Sequence, residues 1–196
     1  PLWRSPHAPS PAPFPCGSHD SPLSRHGEAV SAGASIRPGA GEYASFYASY
    51  VAMVPDGDIT RALGEQGERF LRQLKDIGDE KAGFAYAAGK WTIKEVILHM
   101  ADTERIFAYR LLRMARGDAT PLSPFDENAY TPMSGANDRP LDSLLGEFAA
   151  VRGATLSLLR WLPDAAWTRR GVASGKDVSV RALAWITAGH AMHHEL

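Results

Sequence analysis

The chain contains seven histidines, and their uneven placement is its main chemical signal. His190, His193 and His194 crowd together just before Leu196, and His99 lies inside an apolar-periodic segment. His7, His19 and His26 are scattered among Pro and Ser near the start. On a helix, residues four apart project from one face, so His190 and His194 can offer two imidazoles to a single ion. At about 100° per residue, with Leu183 as origin, His190 falls at about −20° and His194 at about +20°, between Ile186 and Val180. Both therefore face the core. His193 falls at about −80°, on the rim of that stripe, and is the weaker ligand candidate.

An imidazole on an apolar face needs partners for its nitrogens, because an unpaired buried polar group costs about 1–3 kcal/mol. A shared metal ion is one solution. A hydrogen bond to a carbonyl or carboxylate is the other, and spacing alone leaves both open. His99 is the remaining helical histidine and hence the candidate third ligand. It lies about 90° from the centre of the Val96, Met100, Phe107 stripe, so geometry permits its contact with the interior without demanding it. Three neutral imidazoles would leave an ion's charge undiminished and one coordination position open. That pattern suits catalysis by activating a water or a thiol.

Other site chemistries are less well supplied. Cys16 is the only cysteine, which excludes an intramolecular disulfide and cysteine-rich zinc sites. A di-iron bundle requires Glu-x-x-His, whereas Glu95 precedes His99 by four residues. His194-Glu195 leaves an HExxH reading open, because the sequence stops at Leu196. There is no Walker-type phosphate loop and no Ser nucleophile elbow.

The elements that must position the histidines follow from apolar spacing. Residues 1–41 are rich in Pro, Ser, Ala and Gly, hold more than half of the 14 prolines, and are expected to be a disordered leader. Tyr43, Phe46, Tyr47 and Tyr50 predict a short packing helix closed by Pro55-Asp56-Gly57. Ile59, Leu63, Phe70, Leu71, Leu74 and Ile77 predict the first bundle helix, and Gly83 to Lys90 reads as a loop. Thr92-Ile-Lys-Glu95 is a capping box that opens a helix running to Arg116 and stopped by Gly117. Asp118 to Arg139 reads as a long loop. A third helix runs from about Asp142 through Phe148 and Leu156 to Trp161, and a turn-rich stretch surrounds Gly171 and Gly175. Ser179 caps a last helix. Four amphipathic segments without convincing alternation predict an all-α four-helix bundle spanning residues 42–196.

Composition agrees with one domain of ordinary core size, at 196 residues, 44% hydrophobic and 22% charged. A net charge of −1 and the lack of a Lys/Arg run argue against a nucleic-acid partner. No apolar run is long enough to span a membrane. With one thiol and no legible secretory signal, the expected location is cytoplasmic.

The run from Gly89 through Lys90-Trp91-Thr92-Ile93-Lys94-Glu95 to His99, continuing through Asp102, Glu104 and Arg105 to Arg110, resembles the second-helix signature of the DinB/YfiT-like superfamily. Gly189-His190-Ala191-Met192-His193-His194 resembles its fourth-helix motif, and Pro124-Phe125-Asp126-Glu127 its intervening loop. The resemblance implies a four-helix bundle with a long crossover, and one divalent metal ion (Zn, Ni or Fe) held by His99, His190 and His194. It also implies a small-molecule substrate, acted on by a thiol S-transferase with a low-molecular-weight thiol cosubstrate such as bacillithiol or mycothiol, or by a hydrolase. Homodimers are common in the superfamily. The Pro-rich leader has no counterpart there, and the last helix is expected to be truncated just after its ligand motif. Asp126, Glu127 and Tyr130 are candidates for shaping the pocket, and Glu104, Arg105, Arg110 and His193 for backing the ligands. Capping or surface ion pairing is the competing role for these side chains. The alternative function is a non-catalytic bundle that binds metal or a partner.

Overall fold

A computed structural model describes residues 31–195. In chain order it contains α1 (Ala48–Met53), α2 (Ile59–Leu74), the single turn α3 (Asp79–Ala82), α4 (Ile93–Ala115), α5 (Glu127–Met133), α6 (Leu141–Arg160) and α7 (Asp164–Trp167). The hairpin β1 (Arg170–Ala173) and β2 (Lys176–Ser179) then leads into α8 (Val180–His194).

The four long helices form the bundle. Both α2 and α4 pack against α6 and α8, so α2 and α4 face each other across the diagonal although they are consecutive long helices. The connection between them must therefore cross one end of the bundle. The core has two parts: one around Trp167, Trp185, Met114 and Leu159, the other around Phe70, Phe148, Ile97 and Met100.

Local chemistry sets the helix starts. The Asp58 carboxylate accepts from the Thr60 N–H, and the Ser179 hydroxyl accepts from the Ala182 N–H. At α4 the Glu95 N–H donates to the Thr92 hydroxyl at 3.1 Å, and the Thr92 N–H donates to the Glu95 carboxylate at 2.8 Å. The same hydroxyl donates to the Asn137 side chain at 2.7 Å. Thr92→Ala removes both side-chain bonds and is expected to cost about 1–2 kcal/mol, read as a lower denaturation midpoint at unchanged slope. A midpoint within error of the parent would contradict this account of the helix start.

Order begins earlier than residue 42. A Cβ at Gly33 would lie 2.4 Å from the Trp167 ring, so only glycine allows that approach. Ser31 donates to Asp164, and Glu42 accepts from Ser179 and Arg181, tying residues 31–42 to α7 and the start of α8. The rest of the expected leader, with His7, His19 and His26, lies outside the described residues.

Two further expectations change. The stretch 118–139 is not a plain loop, because it contains α5, capped by Asp126. The turn-rich stretch carries two short strands and forms a β-hairpin. Its tip residues Ser174 and Gly175 both have positive φ, at 53° and 71°, which matches the right-handed twist of the flanking strands. Leu122 extends the hairpin, its N–H donating to the Val172 carbonyl at 2.9 Å.

A buried ion pair ties three bundle helices together. Arg152 of α6 donates to both carboxylate oxygens of Glu104 on α4 at 2.9–3.0 Å. It also donates to the Leu63 carbonyl and the Gln66 side chain of α2, both at 2.6 Å. Glu104 lies five residues beyond His99, about 140° further around α4. Both its oxygens are held by Arg152, so it is a helix-linking residue and not one that backs the histidines.

Candidate metal centre

Because α4 touches α6 and α8 at once, one of its margins faces α8, and that margin carries His99. The opposing face of α8 carries His190 and His194. The three rings form a nearly equilateral triangle, with centroids 5.0 Å apart for His99–His190 and His99–His194 and 4.7 Å for His190–His194. One ligand nitrogen from each lies within 4.8 Å of the others. The Nε2 atoms of His99 and His190 are 3.0 Å apart, close to the roughly 3.3 Å expected for two nitrogens on one tetrahedral zinc ion. The donor set and its spacing thus fit a single divalent ion.

Electrostatics favour the ligand form of each ring. Burial lowers the pKa of His99, against an opposing pull from Glu127. Burial, with the neighbouring imidazoles adding to it, holds His190 well below the ordinary value and pushes His194 down to about 4. All three are neutral near pH 7, as metal ligation requires. Below about pH 6.5 an unfolded chain protonates these histidines more readily than the folded chain, in which all three are shifted downward, so the unfolded state binds more protons. Stability is therefore present above pH 6.5 and is lost progressively as the pH falls toward about 4. Denaturant midpoints of metal-stripped protein at pH 7.5 and pH 5 should differ in that direction. Equal midpoints would mean that the imidazoles are not held neutral.

Aromatic rings surround the triangle. Trp91 lies 4.7 Å from the His99 ring, Tyr50 5.7 Å from His190, and Phe107 6.1 Å from His190. Tyr50 reaches His190 because the backbone of α1 presses onto α8 at Gly189. A Cβ there would lie 2.0 Å from the Tyr50 carbonyl oxygen. This gives the glycine before His190 a physical reason. Neither Tyr50 nor Trp91 is among the predicted site residues, although a substrate-stacking surface is the alternative to packing for the tyrosines. The aromatic spacing of 43–50 reads as packing, and Trp91 falls at the end of a loop.

The other candidates have separate roles. His193 is exposed and packs on Tyr50 at 5.4 Å, outside the triangle. Asp126 caps α5 by accepting from the Asn128 and Ala129 N–H groups. The Glu127 carboxylate is exposed, and its charge acts on His99, Tyr47 and Tyr50. Tyr130 is 51% exposed and leans on Phe125. Arg105 pairs with Asp102 and Glu147 at the surface. Arg110 is buried and donates to the Ser123 carbonyl and the Ser174 hydroxyl, so it anchors the loop and hairpin. A cavity of about 840 Å³ opens beside the triangle, with His194 in its wall.

A bundle that presents three neutral imidazoles from two adjacent helices beside an open cavity defines a class of protein equipped to hold one metal ion. The chain belongs to the DinB superfamily, which it matches over residues 62–195. It is 31% identical over 150 residues to a "putative metal-dependent hydrolase" of Oceanobacillus iheyensis, covering 71% of this chain and 86% of the relative. It is 24% identical over 110 residues to YfiT of Bacillus subtilis, which carries the same description, covering 56% of this chain and 61% of the relative.

The fold also matches two solved structures. One is that of YfiT from Bacillus subtilis, described as "a probable metal-dependent hydrolase with an unusual four-helix bundle topology". The TM-score is 0.64 at 20% identity, over 69% of this chain and 79% of that one. The other is a mycothiol-dependent maleylpyruvate isomerase, with a TM-score of 0.59 at 18% identity, over 70% of this chain and 58% of that one. Among the described residues no helix is long and apolar enough to cross a membrane.

Proposed function

We propose that this chain is a metal-dependent enzyme in which His99, His190 and His194 hold one divalent ion, and that it acts on small molecules as a thiol S-transferase or a hydrolase. The observation that carries this reading is the triangle of neutral imidazoles, one of which, His194, lies in the wall of a cavity large enough for a substrate. When bound, a divalent ion supplies Lewis acidity that makes a water or a thiol a nucleophile near neutral pH. The chain's own residues supply the rest. The depressed pKa values keep the ring lone pairs free for the ion, and Tyr50, Phe107 and Trp91 limit water around the triangle. Glu127 adds a negative charge that acts on His99 and favours positive charge at the triangle. In the transferase form the thiol S–H bond breaks, sulfur bonds to an electrophilic carbon as the bond from that carbon to the leaving group breaks, and the thiol proton ends on the departing group. In the hydrolase form water takes the place of the thiol.

Relatives described as metal-dependent hydrolases support the second form, and the fold shared with a mycothiol-dependent isomerase supports a thiol partner. The test is a panel of bacillithiol, mycothiol and glutathione with electrophilic acceptors, run beside an ester and amide panel on metal-loaded protein. Turnover that disappears in His190→Ala is expected. Stoichiometric metal without thiol consumption or cleavage would instead make the bundle a non-catalytic binder.

A further inference from the structure

The diagonal crossing from α2 to α4 builds more than a connection. Its residues line much of the cavity of about 840 Å³, together with Leu74 of α2 and Val96 of α4. That volume falls within the range of small-ligand sites. Along the crossing, Phe84 is 74% exposed and Tyr86 81% exposed, and both line the cavity. Loose loops often expose such rings, but this one is fixed at both ends. Ala85 bridges Thr92, and Lys94 pairs with Asp79 at 2.6 Å while donating to the Arg139 carbonyl at 2.7 Å. An ordered segment that holds two aromatic side chains in water beside an apolar cavity leaves surface for a ligand to cover.

The cavity also leads to the candidate metal centre. His194 is part of its wall, and Trp91, which lines it too, packs on His99 at 4.7 Å. Its charged lining residues are Asp79, Glu80 and Lys81, and the Asp79 carboxylate is already engaged by Lys94. Two acids and one base do not suit a dianion. We infer that this cleft takes the apolar body of the substrate, an aromatic or branched aliphatic group attached to a metal-seeking oxygen, nitrogen or sulfur function that points to His194. The inference rests on the proposed metal-enzyme reading for its head group and on the cleft alone for its tail.

The test is calorimetry of zinc-loaded protein with acetohydroxamate, benzohydroxamate and 2-naphthohydroxamate, which share a chelating head and differ in apolar tail. Affinity is expected to rise by on the order of tenfold or more from the methyl to the ring compounds, as burial of apolar area predicts. In the Phe84→Ser/Tyr86→Ser double variant, whose changes fall on exposed side chains, and in Leu74→Arg, which fills the cleft, that gain should shrink to a fewfold. Acetohydroxamate is the reference for the head group. Three hydroxamates binding within twofold of one another, an unchanged ring gain in both variants, or maleate binding more tightly than benzohydroxamate would overturn the inference. A separate arm uses 2-naphthamide, which lacks the chelating head, on metal-free protein. If hydroxamates fail because no metal is held, 2-naphthamide binding that is lost in Leu74→Arg still supports the cleft, and no binding overturns it.

Discussion

Arg152→Ala is expected to lower the unfolding free energy by about 3–5 kcal/mol, a large share of the roughly 5–15 kcal/mol that holds a domain folded. The side chain is 4% exposed at residue level and satisfies Glu104, which is 3% exposed, together with the Leu63 carbonyl and Gln66. Its removal leaves a buried carboxylate without its cation and a void where the guanidinium stacked 5.0 Å from the Phe148 ring. The cost arises mainly from the orphaned partner and not from the intrinsic worth of the pair. A double change, Arg152→Met with Glu104→Met, should therefore recover most of the loss, because apolar replacement of a buried pair is often neutral. Urea denaturation of the two variants decides this. If Arg152→Ala costs under 1 kcal/mol, the pair does not bind α4 to α6 and α2 as described.

Gly189→Ala sets two effects against each other. Alanine is favoured over glycine inside a helix by about 1 kcal/mol. The added methyl would, however, sit 2.0 Å from the Tyr50 carbonyl oxygen and 2.4 Å from its carbon, both backbone atoms that cannot swing aside. Overpacking of this kind costs about 1–3 kcal/mol or more, and here relief requires α1 to lift from α8. The steric term should win. The expected result is a net loss of stability, together with faster proteolytic cutting near Pro55-Asp56-Gly57 as α1 detaches. A more stable variant with unchanged cutting would show that α1 does not rest against α8 at this point.

Much of this structure was legible because it depends on local rules. The i,i+4 pair His190 and His194 and the stripe around Leu183 place two imidazoles inward, and the Thr92–Glu95 and Ser179 caps locate the helices that carry them. His99 was different. Its position on the margin of a stripe acquires meaning only when α4 is known to pack against two helices, which is a tertiary fact. Glu104 and Arg110 stand beside the motif in sequence, yet their partners Arg152, Ser123 and Ser174 are distant along the chain, so proximity to His99 gave no guide to their roles. The short α5, which contains Pro132, and a hairpin of four-residue strands lack the length for periodicity to register. Tyr50 reaches the site only through the α1–α8 contact at Gly189, whose requirement for glycine is steric and not conformational.

Three imidazoles that share one ion have a direct stoichiometric signature. The measurement that addresses it most directly is elemental analysis of the purified chain after equilibration with Zn, Ni or Fe, beside His99→Ala, His190→Ala, His194→Ala and His193→Ala. About one equivalent is expected in the parent and in His193→Ala, with affinity reduced by about a hundredfold or more in each of the other three. A parent that retains no metal, or a His99→Ala protein that retains a full equivalent, would contradict it.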